Sequence, residues 1–586
     1  MHRNLGFMLK SMILFRFRCK KPVGVLVKQI LIKSKTSQPK LWKPCLKEYS
    51  QKNISKSDLV IKNVCATVGL INKSQDKSMR STKSVCPECR KIITASIFEE
   101  NGKMIMEKGC PEHGNFRDVY WSDAELYRKF EKYSRIGTGV SNFQSYGFAN
   151  CPFDCGICHA HETGTLLANI DVTNRCNLTC PICFANARMK GVIYEPDFEE
   201  IKKMMKTLRN ERPVPCYAIQ FSGGEPTIRD DLPEIIKLAE ELGFLQIQVA
   251  SNGVRLAKNP EYCKRLKDAG LQTIYLSFDG VTPAPYIETR GFNALLLKKK
   301  AIENCRSFGP GSLVLVPTLA KGVNDSQVGD ILRFAAEYLD IIKGVNFQPI
   351  AFTGRVDQSQ REEKRITTPD VLKLVEKQTN GEIPCDAWYP VSSVVPISRF
   401  LSAMRKVPIP EFTVHQHCGA GTYVFFEEGR FIPITNFIDV EGFLEFIEEV
   451  TPEINGNVSR VRVLAKVTRE IPGYIDESQC PKSINVARMI LDVLKTGDKE
   501  HTARFHRNTL FIGIMHFQDL YNLDLERTKK CGVHYSTPDG RIIPFCTYNT
   551  LYRDSIELKL SMPYAQRINP ADSKINPQHS KKSNKQ

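Results

Sequence analysis

The chain has 586 residues, 42% hydrophobic and 25% charged, with 33 Pro and 36 Gly, a composition that excludes collagen-like, wholly disordered and polytopic membrane proteins. No run approaches the ~18 to 20 uninterrupted apolar residues that a bilayer-crossing helix needs. The net charge of +18 suggests a polyanion partner until it is mapped: residues 1–85 carry 19 Lys and Arg against Glu48, Asp58 and Asp76, a net +16, which leaves only +2 for the rest. A near-neutral body argues against a nucleic-acid groove.

In chain order, residues 1–81 mix short apolar runs with Lys and Arg and lack a cleavage site, so they read as a basic, disordered extension. A basic arm lying on an anionic membrane surface is the competing reading. Cys19, Cys45 and Cys65 stand alone there and are assigned no metal. Residues 82–165 are Cys-rich. From 166 to 360, β-branched or aromatic runs (169–174, 217–223, 245–252, 273–279, 312–320 and 344–350) alternate with amphipathic stretches (195–210, 231–242, 260–269, 293–307 and 326–338). Six strands with intervening helices predict parallel β/α units, as a partial barrel or a doubly wound open sheet. Residues 361–568 look irregular and Pro-rich, with cysteines placed singly, and 569–586 form a polar, Lys-rich, disordered tail.

The chain has 20 cysteines, and many of them fall in tight clusters rather than at disulfide spacing, which points to metal and to a reducing, cytoplasmic setting. TNRCNLTCPICFANA sets Cys176, Cys180 and Cys183 at C-x3-C-x2-C spacing just after the first strand of the β/α region. Three thiolates on one loop can hold three irons of a 4Fe-4S cluster and leave the fourth open. Alone, the spacing would also suit a zinc clip. FSGGEP after the second strand and ASNG after the third set that aside, and residues 165–360 resemble the radical S-adenosylmethionine (SAM) superfamily.

The resemblance implies an α/β fold, a partial (β/α)6 radical SAM barrel with Cys-rich N-terminal and C-terminal metal-cluster regions. It implies SAM contacts from Ser222, Gly223, Gly224, Glu225, Ser251, Asn252 and Asp279, with the glycines approaching the methionine and Glu225 pairing with its ammonium. Ile182 departs from the aromatic residue often found before the third Cys.

NCPFDCGICHAH carries a second C-x3-C-x2-C, Cys151, Cys155 and Cys158, read as three ligands of an auxiliary 4Fe-4S cluster whose fourth ligand comes from elsewhere; His159 and His161 are local polar residues or outer donors. Cys86, Cys89, Cys110 and His113 have the spacing of a rubredoxin-like or zinc-ribbon knuckle for one iron or zinc ion. Cys385, Cys418, Cys480, Cys531 and Cys546 number the five thiolates that would complete the second cluster and form a third, giving two auxiliary clusters in all. Cys216, Cys263 and Cys305 read as small core residues.

Knuckle, paired motifs, CGAG and PFCTYN together are similar to the archaeal tetraether lipid synthase family over residues 82–560, whose members are also read as dihydropterin methyltransferases of methanopterin biosynthesis. That resemblance implies a 5′-deoxyadenosyl radical joining terminal carbons of isoprenoid lipid chains, a lipid substrate with peripheral membrane contact, and a low-potential electron donor. The alternatives are methyl transfer to 7,8-dihydro-6-hydroxymethylpterin, for which Tyr286 to Arg290 and Phe352 to Arg355 are candidate contacts, and a multi-cluster electron-transfer protein.

Overall fold

The computed structural model describes residues 80–146, 150–187, 191–455, 459–482, 485–495 and 509–563. The extension preceding Arg80, with Cys19, Cys45 and Cys65, and the Lys-rich tail lie outside them. The N-terminal Cys segment is an antiparallel sheet in sequence order, β1 (Arg80–Val85), β2 (Ile92–Glu100), β3 (Lys103–Cys110) and β4 (Gly114–Trp121). Asn101 and Gly102 turn β2 into β3 with φ of 50° and 73°, the left-handed pair that a two-residue hairpin requires. The helix Ala124–Glu131 follows, its first turn capped by the Asp123 side chain, and Phe130 packs edge-on to Trp121 with ring centroids 5.9 Å apart.

The main sheet and its flanks contain β5 (Leu167–Thr173), β6 (Val192–Ile193), β7 (Ala218–Gly223), β8 (Gln246–Ser251), β9 (Thr273–Ser277), β10 (Leu313–Val316), β11 (Thr318–Leu319), β12 (Ile342–Pro349), β13 (Tyr389–Pro390), β14 (Gly419–Glu427), β15 (Arg430–Pro433), β16 (Leu510–Met515), β17 (Val533–Ser536) and β18 (Ile542–Pro544). β5, β7, β8, β9, β10 and β12 are parallel and neighbour one another in sequence order. A doubly wound sheet would reverse its order at a switch point. The unreversed order is that of a barrel winding, left open because β5 does not pair with β12, so the expected partial barrel holds.

Helices Phe198–Arg209, Leu232–Glu241, Pro260–Asp268, Leu295–Phe308 and Val328–Glu337 cover one face. The first shows why: Asp197 and Glu200 form a capping box, and Ile201, Met204, Met205 and Leu208 recur at helical spacing on its buried side. Against these helices the strands present fully buried Ile219, Phe221, Ile274, Leu276, Val345 and Phe347. The alternate residues Gln220, Ser222, Tyr275, Ser277, Asn346 and Gln348 are half-buried on the opposite face. That face is polar, unlike the branched aliphatic filling usual in closed barrels.

The C-terminal region, expected to be irregular, belongs to the same sheet. β16 runs parallel beside β12 with β14 antiparallel beyond it, while β17 lies parallel to β5 at the other edge with β18 outside. Both edges of the six-stranded unit are thereby paired. Helices Val395–Arg405, Val440–Asn455 and Arg460–Glu470 form a separate apolar core around Phe400, Phe443, Ile447, Val463 and Val467. No helix among the described residues is long and apolar enough to cross a membrane.

Candidate active site and metal centres

Cys176, Cys180 and Cys183 follow β5 at the carboxyl end of the parallel strands, where β/α folds place their chemistry. All three are half-buried. Burial pushes the Cys176 thiol up to about 12, so metal must displace its proton. The end of β7 clamps this loop: the Gly224 N–H donates to the Thr173 carbonyl at 2.7 Å and the Glu225 N–H to that of Arg175 at 2.9 Å. A Cβ on Gly224 would stand 2.1 Å from the Arg175 oxygen, and one on Gly223, at φ +126°, 2.1 Å from the Thr173 oxygen. The close approach that demands glycine here is to the Cys loop; an approach to methionine was the expectation.

Glu225 is buried and ties the motifs together. Its carboxylate accepts from the Ser251 hydroxyl at 2.8 Å, the Asn252 N–H at 2.7 Å and the Thr227 N–H at 3.2 Å. Asn252 also donates through its side chain to Asn177 in the Cys loop at 2.7 Å. Asp279, expected among the SAM contacts, is fully buried, and its carboxylate is occupied by Arg290 (2.6 and 2.8 Å), the Thr289 hydroxyl (3.1 Å) and the Thr318 N–H (3.2 Å). It holds the Arg290 guanidinium, which also hydrogen-bonds Cys180. Ser222 likewise turns inward, donating to Asp171 at 2.8 Å.

The stretches nominated for a pterin support the Cys loop as well: besides Arg290, the Arg355 N–H donates to the Cys183 carbonyl at 3.0 Å, while the Tyr286 hydroxyl is satisfied by the Gly280 carbonyl at 2.8 Å. Two charged groups escaped the sequence reading. Lys298 donates to the Asn252 carbonyl at 2.6 Å and to Ser277 at 2.8 Å, and burial pushes it down to about 8. It sits among three consecutive lysines, but its spacing to buried Ala301 and Ile302 marks the apolar side of its helix. Arg553 pairs with Asp171 at 2.6 Å and Glu557 at 3.1 Å, entering on the helix Arg553–Lys559 after a π-helical turn, Tyr548–Tyr552. Such turns recur at functional sites; nothing local in the sequence announces a partner 382 residues away.

Cys151, Cys155 and Cys158 line one cavity together with His161, Asp154, Lys529 and Pro544. Burial pushes Cys151 up to about 11 and Cys155 to about 12. At the knuckle, the donor atoms of Cys86, Cys89, Cys110 and His113 all lie within 4.8 Å of one another. The Cys89–Cys110 sulfur separation of 3.8 Å equals the edge of a tetrahedron with ~2.3 Å metal–sulfur bonds. His113, 3.5 Å from the Cys110 sulfur, helps hold that thiol down at about 6. The donor set fits one tetrahedral ion.

The five C-terminal cysteines, expected to supply one ligand to the second cluster and four to a third, divide differently. Cys418, Cys531 and Cys546 lie close together: beyond the effect of burial, charge on Cys546 or Cys418 raises Cys531 and charge on Cys418 raises Cys546, with Arg527 hydrogen-bonded to Cys418. Cys385 instead donates to Glu376 at 3.1 Å, and Cys480 to the Asp476 carbonyl at 3.5 Å beside an apolar cluster of Phe425, Phe437 and Ile438. Different elements carry these two away, so a count of thiols could not reveal the grouping. Cys216, Cys263 and Cys305 are buried in the main core.

Residues 170–335 match the radical SAM superfamily and residues 78–122 the HMPTM N-terminal zinc ribbon domain. Fold, Cys loop and match define a radical SAM enzyme, a class that works with SAM and a 4Fe-4S cluster. The chain is 54% identical over 490 residues to the 7,8-dihydro-6-hydroxymethylpterin dimethyltransferase of Methanocaldococcus jannaschii, covering 83% of this chain and 96% of that protein, and it belongs to that protein's family. It is 28% identical over 193 residues to the GTP 3',8-cyclase of Clostridium acetobutylicum, covering 33% of this chain and 59% of the cyclase. Streptococcus suis SuiB bound to S-adenosylmethionine superimposes with a TM-score of 0.30 at 16% identity, over 37% of this chain and 48% of that one. The expectation of isoprenoid chain coupling is corrected by these comparisons, because a relative covering 83% of the chain is a pterin dimethyltransferase.

Proposed function

We propose that the chain is a radical SAM methyltransferase acting on 7,8-dihydro-6-hydroxymethylpterin. The observation that carries the reading is the 54% identity to the dimethyltransferase over nearly that protein's whole length. The helix-free face of the sheet agrees: Gln220, Gln248, Tyr275, Asn346 and Gln348 offer donors and acceptors suited to a ring that carries both, and would leave unpaired polar groups against a hydrocarbon.

In this reading Cys176, Cys180 and Cys183 hold the SAM-binding cluster. Once bound, that cluster and SAM supply a 5′-deoxyadenosyl radical when an electron arrives from a low-potential donor. Glu225 fixes Ser251 and Asn252 against the loop, Arg290 counters thiolate charge at Cys180, and Lys298 pins the turn that follows β8. Cys151, Cys155 and Cys158 hold an auxiliary cluster, and Cys86, Cys89, Cys110 and His113 a single ion. Cys418, Cys531 and Cys546 are a further candidate thiolate group.

The test is equilibrium binding of the dihydropterin, followed by its fluorescence, to variants with unchanged SAM cleavage. Gln220→Leu and Asn346→Leu should each weaken binding roughly tenfold, about 1.4 kcal/mol. Dihydropterin binding that both substitutions leave untouched would remove the helix-free face from the reading.

A further inference from the structure

The cavity of Cys151, Cys155 and Cys158 contains three thiols, and among the described residues no fourth cysteine lines it. His161 does, and it is 6% exposed. Its Nε2 lies 2.8 Å from the Cys531 carbonyl oxygen and 3.1 Å from His534 Nε2. A carbonyl can only accept, so His161 Nε2 carries the proton.

His534 meets His161 through Nε2 and the Thr165 hydroxyl through Nδ1, at 2.9 Å. The Thr165 hydroxyl in turn donates to the Glu211 carboxylate, which also accepts the Thr165 N–H at 3.0 Å. The network runs from His161 through His534 and Thr165 to the buried Glu211, and the Cys531 carbonyl fixes the His161 tautomer. Nδ1 of His161 is left as a lone pair and makes no hydrogen bond among the described residues. A metal-binding histidine characteristically gives its other N–H to a backbone carbonyl or carboxylate, which sets the tautomer and ring orientation.

We infer that His161 supplies, through Nδ1, the fourth ligand of the cluster held by Cys151, Cys155 and Cys158. The knuckle is the one set whose donors all fall within 4.8 Å of one another among the described residues. The His161 set is wider, as donors to separate irons of a cluster are. Sequence could not show this, because His161 is oriented by residues about 50 and 370 positions away.

The inference rests on the reading of the three cysteines as a cluster site, and the experiment separates the two. Full-length protein carrying Cys176→Ala, Cys180→Ala and Cys183→Ala, which removes the SAM-binding cluster, is reconstituted anaerobically, reduced and examined by pulsed EPR. A directly bonded nitrogen coupling is expected, and growth on 15N-histidine should convert it to its 15N counterpart. His161→Cys should keep the iron content, lose that coupling and shift a reduction potential to a more negative value, since imidazole in place of thiolate raises it. Should His161→Cys fail to fold, the isotope experiment on protein that also carries His113→Cys, which leaves the knuckle without a histidine nitrogen, still decides. Absence of a histidine nitrogen coupling, or a coupling unchanged by His161→Cys, overturns the inference. Iron content unchanged by Cys151→Ala, Cys155→Ala and Cys158→Ala together would instead refute the cluster site itself.

Discussion

Replacing Asp171 with Ala tests how the C-terminal segment is fastened to the mouth of the barrel. The Asp171, Arg553 and Glu557 side chains are 2%, 4% and 1% exposed, so this is a desolvated ion triad. Removing Asp171 takes away the 2.6 Å contact and leaves the guanidinium to Glu557 at 3.1 Å, the Tyr535 hydroxyl at 3.2 Å and the Asn549 side-chain oxygen at 3.0 Å. Breaking one side of a buried pair costs roughly 3 to 5 kcal/mol. The surviving Glu557 contact places Asp171→Ala near the lower end, and the hydrogen bond from Ser222, lost at the same time, adds about 1 kcal/mol. Anaerobic denaturant unfolding of the full chain measures the loss, with a shifted midpoint and an unchanged slope. The double substitution Asp171→Leu with Arg553→Met should recover much of it, because two apolar groups leave no orphaned charge. A loss below about 0.5 kcal/mol for Asp171→Ala, the range of ordinary surface changes, would refute the argument that this triad fastens the segment.

Gly224→Ala places a Cβ 2.1 Å from the Arg175 oxygen and should displace the Cys loop, costing about 1 to 3 kcal/mol by overpacking and sharply lowering 5′-deoxyadenosine formation at saturating SAM. Normal cleavage by this variant would show that the clamp is dispensable. Cys89→Ala should remove one metal equivalent per chain, measured by elemental analysis, while the iron of the Cys176 loop remains; loss of all metals together would contradict separate sites. Glu211, held up at about 7 by burial against an ordinary 4.5, gives a pH signature. The unfolded chain releases this proton first as pH rises, so stability falls between about 4.5 and 7 and levels off above, a fall on the order of 3 kcal/mol. The difference between wild-type and Glu211→Gln unfolding free energies should carry that fall, and a difference flat across the window would exclude it.

The β/α repeat was legible because each of its strands and helices carries its own period. β9, for example, was expected at 273–279 and spans Thr273–Ser277, and the helix expected at 260–269 spans Pro260–Asp268. The C-terminal strands were not legible, since β14 and β16 become strands by pairing residues as far apart as Gly419 and Met515 rather than through a local hairpin. Within the site, the Cys loop and GGEP were readable as spacing, and so was the knuckle with His113. The pairing of Asp279 with Arg290 was not readable, because a strand-end carboxylate looks the same in sequence whether it faces a ligand or a buried arginine. Arg553 and His534 meet partners more than 360 residues away, and Glu211 one 46 residues away, so only the folded chain brings them together.

The most direct measurement is anaerobic turnover of reconstituted full-length protein with SAM, a reductant and 7,8-dihydro-6-hydroxymethylpterin, following 5′-deoxyadenosine together with product mass. Pterin-dependent deoxyadenosine and a pterin heavier by one or two methyl groups are the predicted results. Deoxyadenosine formation indifferent to the pterin, with no methylated product, or turnover driven instead by an isoprenoid lipid, would contradict the account.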